Sequence, residues 1–476
     1  MKQKSMFSRQ AFQEQAVYYK EDLRKAMVLQ GLIQELWYGK ELQLHLFGYE
    51  LLPYQPHEYF VFFKEIQEQY GQHLTVEQLL NIVIQLTNCN ISAGTIELKA
   101  LCNLETKVKI NLSQFQCHML QPIAKRDVVL FGFGRIGRLV ARTLVAQRYT
   151  GALQLRAIVI RGKLDAASLQ KRAALLKYDS VHGTAKLVIE VDEQQNALVI
   201  NGIAIPVISS LDAGSIDYTN YGIERALIID SSGIFRDKEA LQIHQRAKGI
   251  QQVLLTAPGK GIPNIVFGVN HHQYNAFTDE ILSAASCTTN AIAPVIKIIH
   301  ETFRIVSGHI ETIHAYTNDQ NLVDNIHAKY RRGRAAAVNM VITETGAGTA
   351  IGKVIPELNG KLTSNAIRIP IPNGSLAILH LKLQTITDVQ ALNSVVRNYA
   401  FNGDLAAQLH FETSEELVSS DIIGNSHCAV FDSKATIVDS SGYEVTLYVW
   451  YDNEYGYTQQ VIRIAQMMSQ LQLQMT

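Results

Sequence analysis

Apolar and polar residues are arranged differently in the two parts of the chain. Residues 1 to about 122 carry apolar positions at three- and four-residue spacing, such as Val17, Leu23, Met27 and Leu32. This spacing is typical of amphipathic helices. Thr75 and Gln78 have the spacing of a capping box, with Leu74 and Leu79 placed as a hydrophobic staple ahead of a helix to Leu86. We therefore expect a mainly helical N-terminal module.

From Asp127 onward, short apolar runs alternate with helical stretches. The runs DVVLF, LQLRAIVI, ERALIIDSSG and QQVLLTAP predict buried strands of a parallel sheet with helices on both faces. After Cys287 the strands are longer and alternate more strictly, as in HIETIHAY, SLAILHLKLQTI and YEVTLYVWY. Such strands favour an antiparallel sheet with one packed face. The pattern predicts an α/β domain followed by an α+β domain.

Composition and charge narrow the class of protein. A chain of 476 residues exceeds what one hydrophobic core usually serves. Equal numbers of basic and acidic residues, 43 each, without a long block of one sign, argue against a nucleic-acid partner. No run of about 18 apolar residues and no secretory signal is found, so we expect no membrane association. The five cysteines include no CxxC pair, so the sequence predicts no metal site. Their small number suits a protein of the reducing cytoplasm. They are Cys89, Cys102, Cys117, Cys287 and Cys428.

A glycine-rich loop lies between a predicted strand and a predicted helix. The loop is Gly132-Phe133-Gly134-Arg135-Ile136-Gly137, after DVVLF and before RLVARTLVAQ. The glycines permit a tight turn, and the start of the helix offers unpaired N–H groups to a pyrophosphate. The predicted cofactor is therefore a dinucleotide, with Gly132, Gly134, Arg135, Ile136 and Gly137 as binding residues.

The end of the second strand bears on the choice between NAD and NADP. An acidic residue normally stands there to hold the adenosine ribose, but LQLRAIVI ends in Ile160. Arg161 and Lys163 follow, before the first acid, Asp165. When no carboxylate lies beside the 2′ position of the ribose, nearby basic groups can pair with a 2′-phosphate. The alternative is that Arg161 and Lys163 form an exposed basic turn without a role in binding. On balance the sequence mildly favours NADP over NAD.

A cysteine and a histidine form the candidate catalytic pair. Cys287, in SCTTN, stands where a strand ends and the apolar helix AIAPVIKII starts. A helix N-terminus lowers the pKa of a thiol, so we expect a reactive thiolate near neutral pH. His314 ends the strand HIETIH, where its side chain can face the helix start as a base.

Seven ordered motifs carry a family resemblance. They are GFGRIGRLV, SCTTN, HAYTNDQ, RRGRAA, TGAGTAIGKVIPELNGKL, VSSD and WYDNEYGY. Together they closely resemble phosphorylating glyceraldehyde-3-phosphate dehydrogenases over residues 127 to 470. The resemblance implies a Rossmann-type domain at 126–285, completed by a C-terminal helix at 455–476, and a catalytic domain at 286–454. It does not explain the N-terminal extension, residues 1–125, and it does not identify a partner that the extension binds.

The resemblance also implies the chemistry and the roles of residues. Cys287 attacks the aldehyde, His314 takes the hydroxyl proton of the thiohemiacetal, and phosphate cleaves the thioester to an acyl phosphate. Thr317 and Arg368 resemble the substrate-phosphate site, and Asn453 resembles the residue that orients the nicotinamide amide. The inorganic-phosphate site is matched by Ser286, Thr288, Arg334, Thr345 and Gly346. A homotetramer that acts on glyceraldehyde 3-phosphate and inorganic phosphate is implied.

Departures from the family pattern are few. Phe131 stands where Asn is usual, Ile160 replaces the ribose-binding Asp, and Thr349 replaces a Lys. Asn325-Ile326 replaces the Leu-Pro pair usual in NAD-specific members, which also points toward NADP or dual use.

Two alternative functions stay open. One is erythrose-4-phosphate dehydrogenase, although Thr317, which its relatives lack, favours the triose substrate. The other is a dehydrogenase scaffold whose extension is a protein-binding or regulatory module.

Overall fold

The chain divides into two compact units, Met1–Ala124 and Lys125–Thr476. A computed structural model describes residues 9–47, 49–52, 54–71, 73–89, 94–98, 125–146, 153–275, 279–402 and 404–473. Cys102, Cys117 and the stretch from 99 to 124, in which the sequence predicts the end of the N-terminal module, lie outside the described residues.

The first unit is mainly helical, as predicted, and it also contains a small sheet that the sequence pattern did not indicate. Its elements are α1 Arg9–Lys40, β1 Leu42–Leu46, β2 Tyr49–Glu50, α2 Glu58–Tyr70, α3 Val76–Thr87 and β3 Gly94–Glu97. Strand β1 lies between β2, which is antiparallel to it, and β3, which is parallel. The predicted capping box is present at the start of α3, because Thr75 and Gln78 exchange hydrogen bonds between side chain and backbone.

The buried face of α1 differs from the positions that marked it in the sequence. Val17 and Met27 are more than half exposed. The buried residues are Ala26, Leu29, Ile33, Leu36 and Trp37. Their spacing of three and four residues keeps one continuous stripe, which packs with α2, α3 and β1 in a single core. The helix was predicted correctly; of the four positions that marked it in the sequence, Leu23 and Leu32 are partly buried, and Leu32 packs against this core.

The second unit begins with a mostly parallel sheet. Its elements are β4 Arg126–Phe131, α4 Arg135–Ala146, β5 Leu153–Ile160, α5 Ala166–Lys177, β6 Tyr178–Asp179, β7 Gly183–Thr184, β8 Ile189–Asp192, β9 Ala197–Ile200, β10 Ile203–Ser209, β11 Ala226–Asp230, α6 Lys238–Leu241, β12 Ile250–Leu255 and β13 Ile281–Ser283. The strand order is β13-β12-β11-β4-β5-β10-β9-β8. Neighbours from β13 to β10 are parallel, as predicted, whereas β9 and β8 add an antiparallel edge that was not predicted.

A second sheet follows, and it is mainly antiparallel as expected. The elements are α7 Cys287–Phe303, β14 Ile305–Ala315, β15 Val341–Thr343, α8 Ala347–Val354, β16 Leu362–Ile369, β17 Ser375–Leu383, α9 Val389–Asn402, β18 Leu409–Glu412, β19 Ala429–Asp432, β20 Ile437–Val438, β21 Glu444–Tyr451 and α10 Tyr455–Leu473. The order is β15-β16-β14-β17-β21-β19-β18, with β20 beside β21. Strands β14 and β16 are parallel, which brings His314 and Arg368 into register at one end of the sheet.

The last helix returns to the first of these two sheets. Val461, Ile464 and Met468 of α10 are buried in the same cluster as Val128 and Leu130 of β4. Helix α7 packs in a separate cluster with the second sheet. Cys287, at the start of α7, contacts both clusters and so stands where they meet. Among the described helices, none is long and apolar enough to cross a membrane.

Candidate active site

The turn that leads into α7 is held in an unusual backbone conformation. Ala285 has φ 53°, a left-handed value that is uncommon for a residue with a side chain. Its N–H donates to Ser283 Oγ at 3.0 Å, and its carbonyl accepts from Tyr457 Oη at 3.0 Å. Asn290 Nδ2 donates to the carbonyls of Ala284 and Ser286, at 2.8 and 2.9 Å. These bonds fix the direction in which the next residues enter the helix.

Cys287 and His314 are brought together as the sequence predicts. Cys287 is the first residue of α7, and its Sγ lies 3.5 Å from His314 Nε2. His314 is next to last in β14, and its side chain is buried. Two segments that are 27 residues apart in sequence thus place a thiol and an imidazole in contact.

The protonation of the thiol differs from the sequence-based expectation. Burial raises the pKa of Cys287, although the nearby Arg368 charge and hydrogen bonds at Thr288 act in the opposite direction. We expected the helix N-terminus to lower this pKa. The direction found is the opposite one, because burial raises the pKa of Cys287 by more than Arg368 and the hydrogen bonds at Thr288 lower it.

His314 is held by two partners on its other side. Arg368 Nη1 lies 2.8 Å from His314 Nδ1 and donates to the carbonyl of Ala315, also at 2.8 Å. The Ala315 carbonyl itself is 2.7 Å from Nδ1. Burial, followed by the Arg368 charge, lowers the pKa of His314 to about 3. Both influences favour the neutral form of the imidazole.

Two hydrogen-bond donors, Thr317 and Arg332, bond to the same carboxylate, that of Asp319. Thr317, predicted to bind the substrate phosphate, donates its hydroxyl to Asp319. Arg332 also donates to Asp319, and it contacts Thr343 Oγ1 at 2.9 and 3.0 Å. Two donors that suit phosphate oxygens thus share one carboxylate. The sequence analysis missed Asp319 and Arg332, although both lie within the quoted motifs HAYTNDQ and RRGRAA.

The residues predicted for inorganic phosphate lie in three places. Ser286 caps α7, accepting from Thr289 N at 3.0 Å, while the Thr288 hydroxyl is 2.9 Å from Tyr451 Oη. Thr345 and Gly346 precede α8, where the backbone N–H groups of the first turn begin. Arg334, in contrast, forms an exposed ion pair with Asp324 at 3.0 Å.

Asn453 is oriented by a residue that sequence reasoning did not single out. Ser375 Oγ donates to Asn453 Oδ1 at 2.7 Å and accepts from Ala315 N at 3.1 Å. Ser375 is buried at the start of β17, directly beside the end of β14. This bond assigns the oxygen of the Asn453 amide as an acceptor and its nitrogen as the donor end. The connection from Ala315 through Ser375 to Asn453 is seen only in the structure, where Ser375 lies opposite β14.

The glycine loop has the shape that a pyrophosphate needs. Gly132 has φ 98°, and a Cβ there would lie 2.7 Å from Ser232 N. A Cβ on Gly137 would lie 2.3 Å from the carbonyl of Gly132, so the start of α4 packs tightly on the loop. A Cβ on Gly134 would meet no atom within 4 Å. The loop is thus packed on its inner side and open at Gly134, which fits a dinucleotide.

Arg135 and Ile136, two of the predicted cofactor residues in the first turn of α4, have different surroundings. Arg135 is bonded to Glu454 and to Asp179, the latter at 3.2 Å. Glu454 also contacts His182 Nε2 at 3.0 Å. Ile136 packs against the apolar cluster of the parallel sheet. Arg135 therefore ties the glycine loop to the start of α10 in this state.

The ribose end of the site contains no acidic side chain at Ile160. Ile160 is buried at the end of β5, and Arg161 after it is exposed. Lys163 pairs with Asp165 at 2.7 Å, and Asp165 caps α5. Ile326 and Thr349 are two further positions at which the sequence departs from the family pattern. Both are exposed, and Thr349 lies in α8. Phe131 is buried, with its ring 4.7 Å from that of His244.

Comparisons with known proteins match both parts of the second unit. Residues 126–238 match the NAD binding domain of glyceraldehyde 3-phosphate dehydrogenase, and residues 286–453 match its C-terminal domain. A glyceraldehyde-3-phosphate dehydrogenase-like protein of Pseudomonas aeruginosa is 53% identical over 72% of this chain and 74% of its own length. Glyceraldehyde-3-phosphate dehydrogenase 2 of Trichormus variabilis is 38% identical over 72% of this chain and 98% of its own. Glyceraldehyde-3-phosphate dehydrogenase of Borreliella burgdorferi is 39% identical over 70% of this chain and 97% of its own length.

Proposed function

The chain belongs to the glyceraldehyde-3-phosphate dehydrogenase family, and we propose that it oxidises glyceraldehyde 3-phosphate with inorganic phosphate to 1,3-bisphosphoglycerate. As a member it is an NAD(P)-dependent oxidoreductase. The observation that carries the proposal is the contact of 3.5 Å between Cys287 Sγ and His314 Nε2 at the first turn of a helix. The reaction is reversible, and metabolite levels set its direction in glycolysis or gluconeogenesis.

Cys287 supplies the covalent step. Its sulfur attacks the aldehyde carbon and forms a thiohemiacetal, and His314 Nε2 then accepts the hydroxyl proton as the thioester forms. A thiolate is a good leaving group, so the thioester keeps the oxidation energy until phosphate cleaves it. Tyr451 supports the first turn of α7 through its bond to the Thr288 hydroxyl, at 2.9 Å.

The cofactor would be held by the glycine loop, the start of α4 and Asn453. When bound, the nicotinamide accepts hydride from the substrate carbon. The open space at Gly134 supports contact with the pyrophosphate. The bond from Ser375 to Asn453 Oδ1 supports a donor role for the Asn453 amide toward the carboxamide. Burial of Ile160 without a carboxylate supports a preference for NADP over NAD.

Two anion sites serve the substrate and the attacking phosphate. Thr317 and Arg368 bind the substrate phosphate, and we add Arg332 because it shares Asp319 with Thr317. Ser286, Thr288, Thr345 and Gly346 serve inorganic phosphate, supported by their positions in the first turns of α7 and α8. Arg334 joins them only if its ion pair with Asp324 opens.

The remaining organisation follows the family. Residues 126–285 with 455–476 form the nucleotide-binding domain, and residues 286–454 form the catalytic domain, in a homotetramer. The burial of α10 residues with β4 supports the shared first domain. The extension, residues 1–125, adds a module with its own apolar core.

A steady-state assay tests the proposal. Purified protein should reduce NADP or NAD when both glyceraldehyde 3-phosphate and inorganic phosphate are present, and Cys287→Ser should not. Erythrose 4-phosphate in place of the triose tests the alternative substrate. Reduction that does not depend on phosphate, or a faster reaction with erythrose 4-phosphate, would overturn the assignment.

A further inference from the structure

Helix α1 buries one face in the core of the first unit and leaves the opposite face exposed. Exposed positions on that face alternate at spacings of three and four residues, which is the spacing of a coiled-coil seam. We call them the outer stripe, and they are Glu21, Arg24, Val28, Gly31, Glu35 and Tyr38. Val28 and Tyr38 are more than half exposed. The outer stripe thus combines apolar and charged side chains on one line along the helix.

The fold of its own unit does not require Gly31, which lies near the middle of the outer stripe. Glycine is among the least favourable residues in the interior of a helix. A Cβ added to Gly31 would meet no atom within 4 Å, so no described neighbour needs the side chain to be absent. A second helix, in contrast, can approach α1 closely at this point because no Cβ projects from it.

The outer stripe also carries charges of both signs that are not paired within the chain. Arg24 and Glu35 are exposed, and neither forms an ion pair or a hydrogen bond with another described residue. They are separated by about 16 Å along the helix, at 1.5 Å per residue. The two charges of one helix therefore cannot neutralise each other.

A second copy of α1 supplies a partner for each charge when the two helices run antiparallel. With Arg24 placed opposite the partner's Glu35, the symmetry of the pair places Glu35 opposite the partner's Arg24, so two ion pairs form. The same register places Val28 opposite the partner's Gly31, where its side chain can fill the space that the glycine leaves. One register therefore pairs the charges and uses the glycine.

The remaining positions and the other arrangements favour the same register. Glu21 faces the partner's Tyr38, whose hydroxyl can donate to the carboxylate. A parallel pair would place Arg24 against the partner's Arg24 and Glu35 against the partner's Glu35, and like charges in contact are destabilising. An antiparallel pair shifted by one heptad would leave Arg24 opposite the partner's Val28, or beyond the end of the helix at residue 40.

We propose that the outer stripe of α1 is a docking surface for a second copy of the chain, in an antiparallel helix pair with two-fold symmetry. The occupant follows from self-complementarity, because the stripe turned end for end offers a matching group at each of its positions, as an isologous contact requires. The pair joins two N-terminal extensions. It does not depend on which reaction the second unit catalyses.

A disulfide between positions 24 and 35 tests the register directly in the full chain. In the double variant Arg24→Cys/Glu35→Cys, the two thiols of one helix are about 16 Å apart, too far for a bond within one chain. In the proposed pair each thiol faces the other position of the partner. Mild oxidation should therefore join two chains, seen as a doubled mass in non-reducing denaturing electrophoresis, about fivefold or more above the wild type.

The single variants Arg24→Cys and Glu35→Cys are the matched controls. Each adds one exposed thiol, but in the proposed register the same position of two paired chains is also separated by about 16 Å along the axis. Each alone should cross-link no more than the wild type with its native cysteines, whereas the two variants co-expressed should cross-link. A double variant that does not cross-link, or one that cross-links no more than the single variants, would overturn the proposal.

Charge reversal tests the ion pairs, with a disulfide between positions 28 and 31 as the reporter. In the full chain carrying Val28→Cys and Gly31→Cys, Arg24→Glu places like charges in contact and should slow the joining of two chains about threefold or more. Glu35→Arg should slow it equally. Both reversals together should restore the rate, because the ion pairs form again with their signs exchanged.

The rescue separates a contact between chains from a role in the fold. A side chain that only supports α1 would not be rescued by a second change on the same helix about 16 Å away. Circular dichroism should show the same helix content in all variants, since both side chains are exposed. Single reversals that leave the rate of cross-linking unchanged, or a double reversal as slow as the single ones, would refute the pairing of Arg24 with the partner's Glu35 and with it the proposed surface.

Discussion

Replacing Ile160 with Asp should turn a preference for NADP into a preference for NAD. Ile160 is the last residue of β5, it is buried, and its carbonyl accepts from Ser210 N at 3.0 Å. The backbone at this position is thus fixed by the sheet. Its side chain offers neither an acceptor for the ribose 2′-hydroxyl nor a charge that repels a 2′-phosphate.

The size of the effect follows from one charged hydrogen bond. A bond between a hydroxyl and a carboxylate contributes about 1.5 to 3 kcal/mol, which corresponds to roughly ten- to 150-fold in affinity. Lys163 is paired with Asp165, so Arg161 is the basic residue of this turn that stays available to a 2′-phosphate. Because Arg161 is exposed, water and salt screen its contribution. We expect a wild-type preference for NADP of about tenfold in kcat/KM, on the scale of one such bond.

The assay compares kcat/KM for both cofactors in the wild type and in Ile160→Asp at saturating aldehyde and phosphate. Ile160→Asn, which has a similar shape to Asp but no charge, separates the restored hydrogen bond from repulsion of the phosphate. A wild-type preference for NAD of tenfold or more that Ile160→Asp leaves unmoved would refute the reasoning. The ribose would then be held by other groups.

Three further changes test the rest of the assignment. Cys287→Ser should abolish turnover, because a hydroxyl is a weaker nucleophile and a poorer leaving group than a thiolate, while the thermal unfolding temperature stays near that of the wild type. A variant that kept a tenth of wild-type turnover would contradict the covalent mechanism. His314→Asn should lower kcat on the order of 10²- to 10⁴-fold, measured as cofactor reduction, and a smaller loss would point to another base. Deletion of residues 1–122 should leave a folded, active enzyme by circular dichroism and assay, since the predicted catalytic residues lie in the second compact unit; an insoluble product would show that the extension completes the fold.

Local patterns in the sequence predicted those features that depend on neighbouring residues. The run LQLRAIVI corresponds residue for residue to β5, because a strand inside a parallel sheet is mostly apolar and only Gln154 and Arg156 interrupt the run. The capping box at Thr75 was also predictable, since its two hydrogen bonds connect residues three apart. Cys287 and His314 were found because each ends or begins a recognisable element.

Features that depend on packing between distant segments were not predictable. The short strands β2 and β3 have too few residues for a clear alternation, and the sheet forms because β1 pairs with both. Ser375 is one serine among many in the sequence, and only the pairing of β17 with β14 places it between Ala315 and Asn453. Arg332 and Arg334 are equivalent by pattern, yet the loop turns one toward Asp319 and the other toward Asp324.

The pKa of Cys287 shows that a motif can mark a candidate residue without fixing the protonation state of its side chain. A cysteine at a helix N-terminus is usually acidified by the dipole, but the magnitude of that effect is limited to the first turn and to partial charges. Burial acts on the full charge of the thiolate and is the larger influence here, raising the pKa of Cys287 despite the Arg368 charge nearby. A positive charge beside the sulfur acts against burial, as the Arg368 charge already does, so the charges that a ligand brings or removes at this place also decide the state of the thiol.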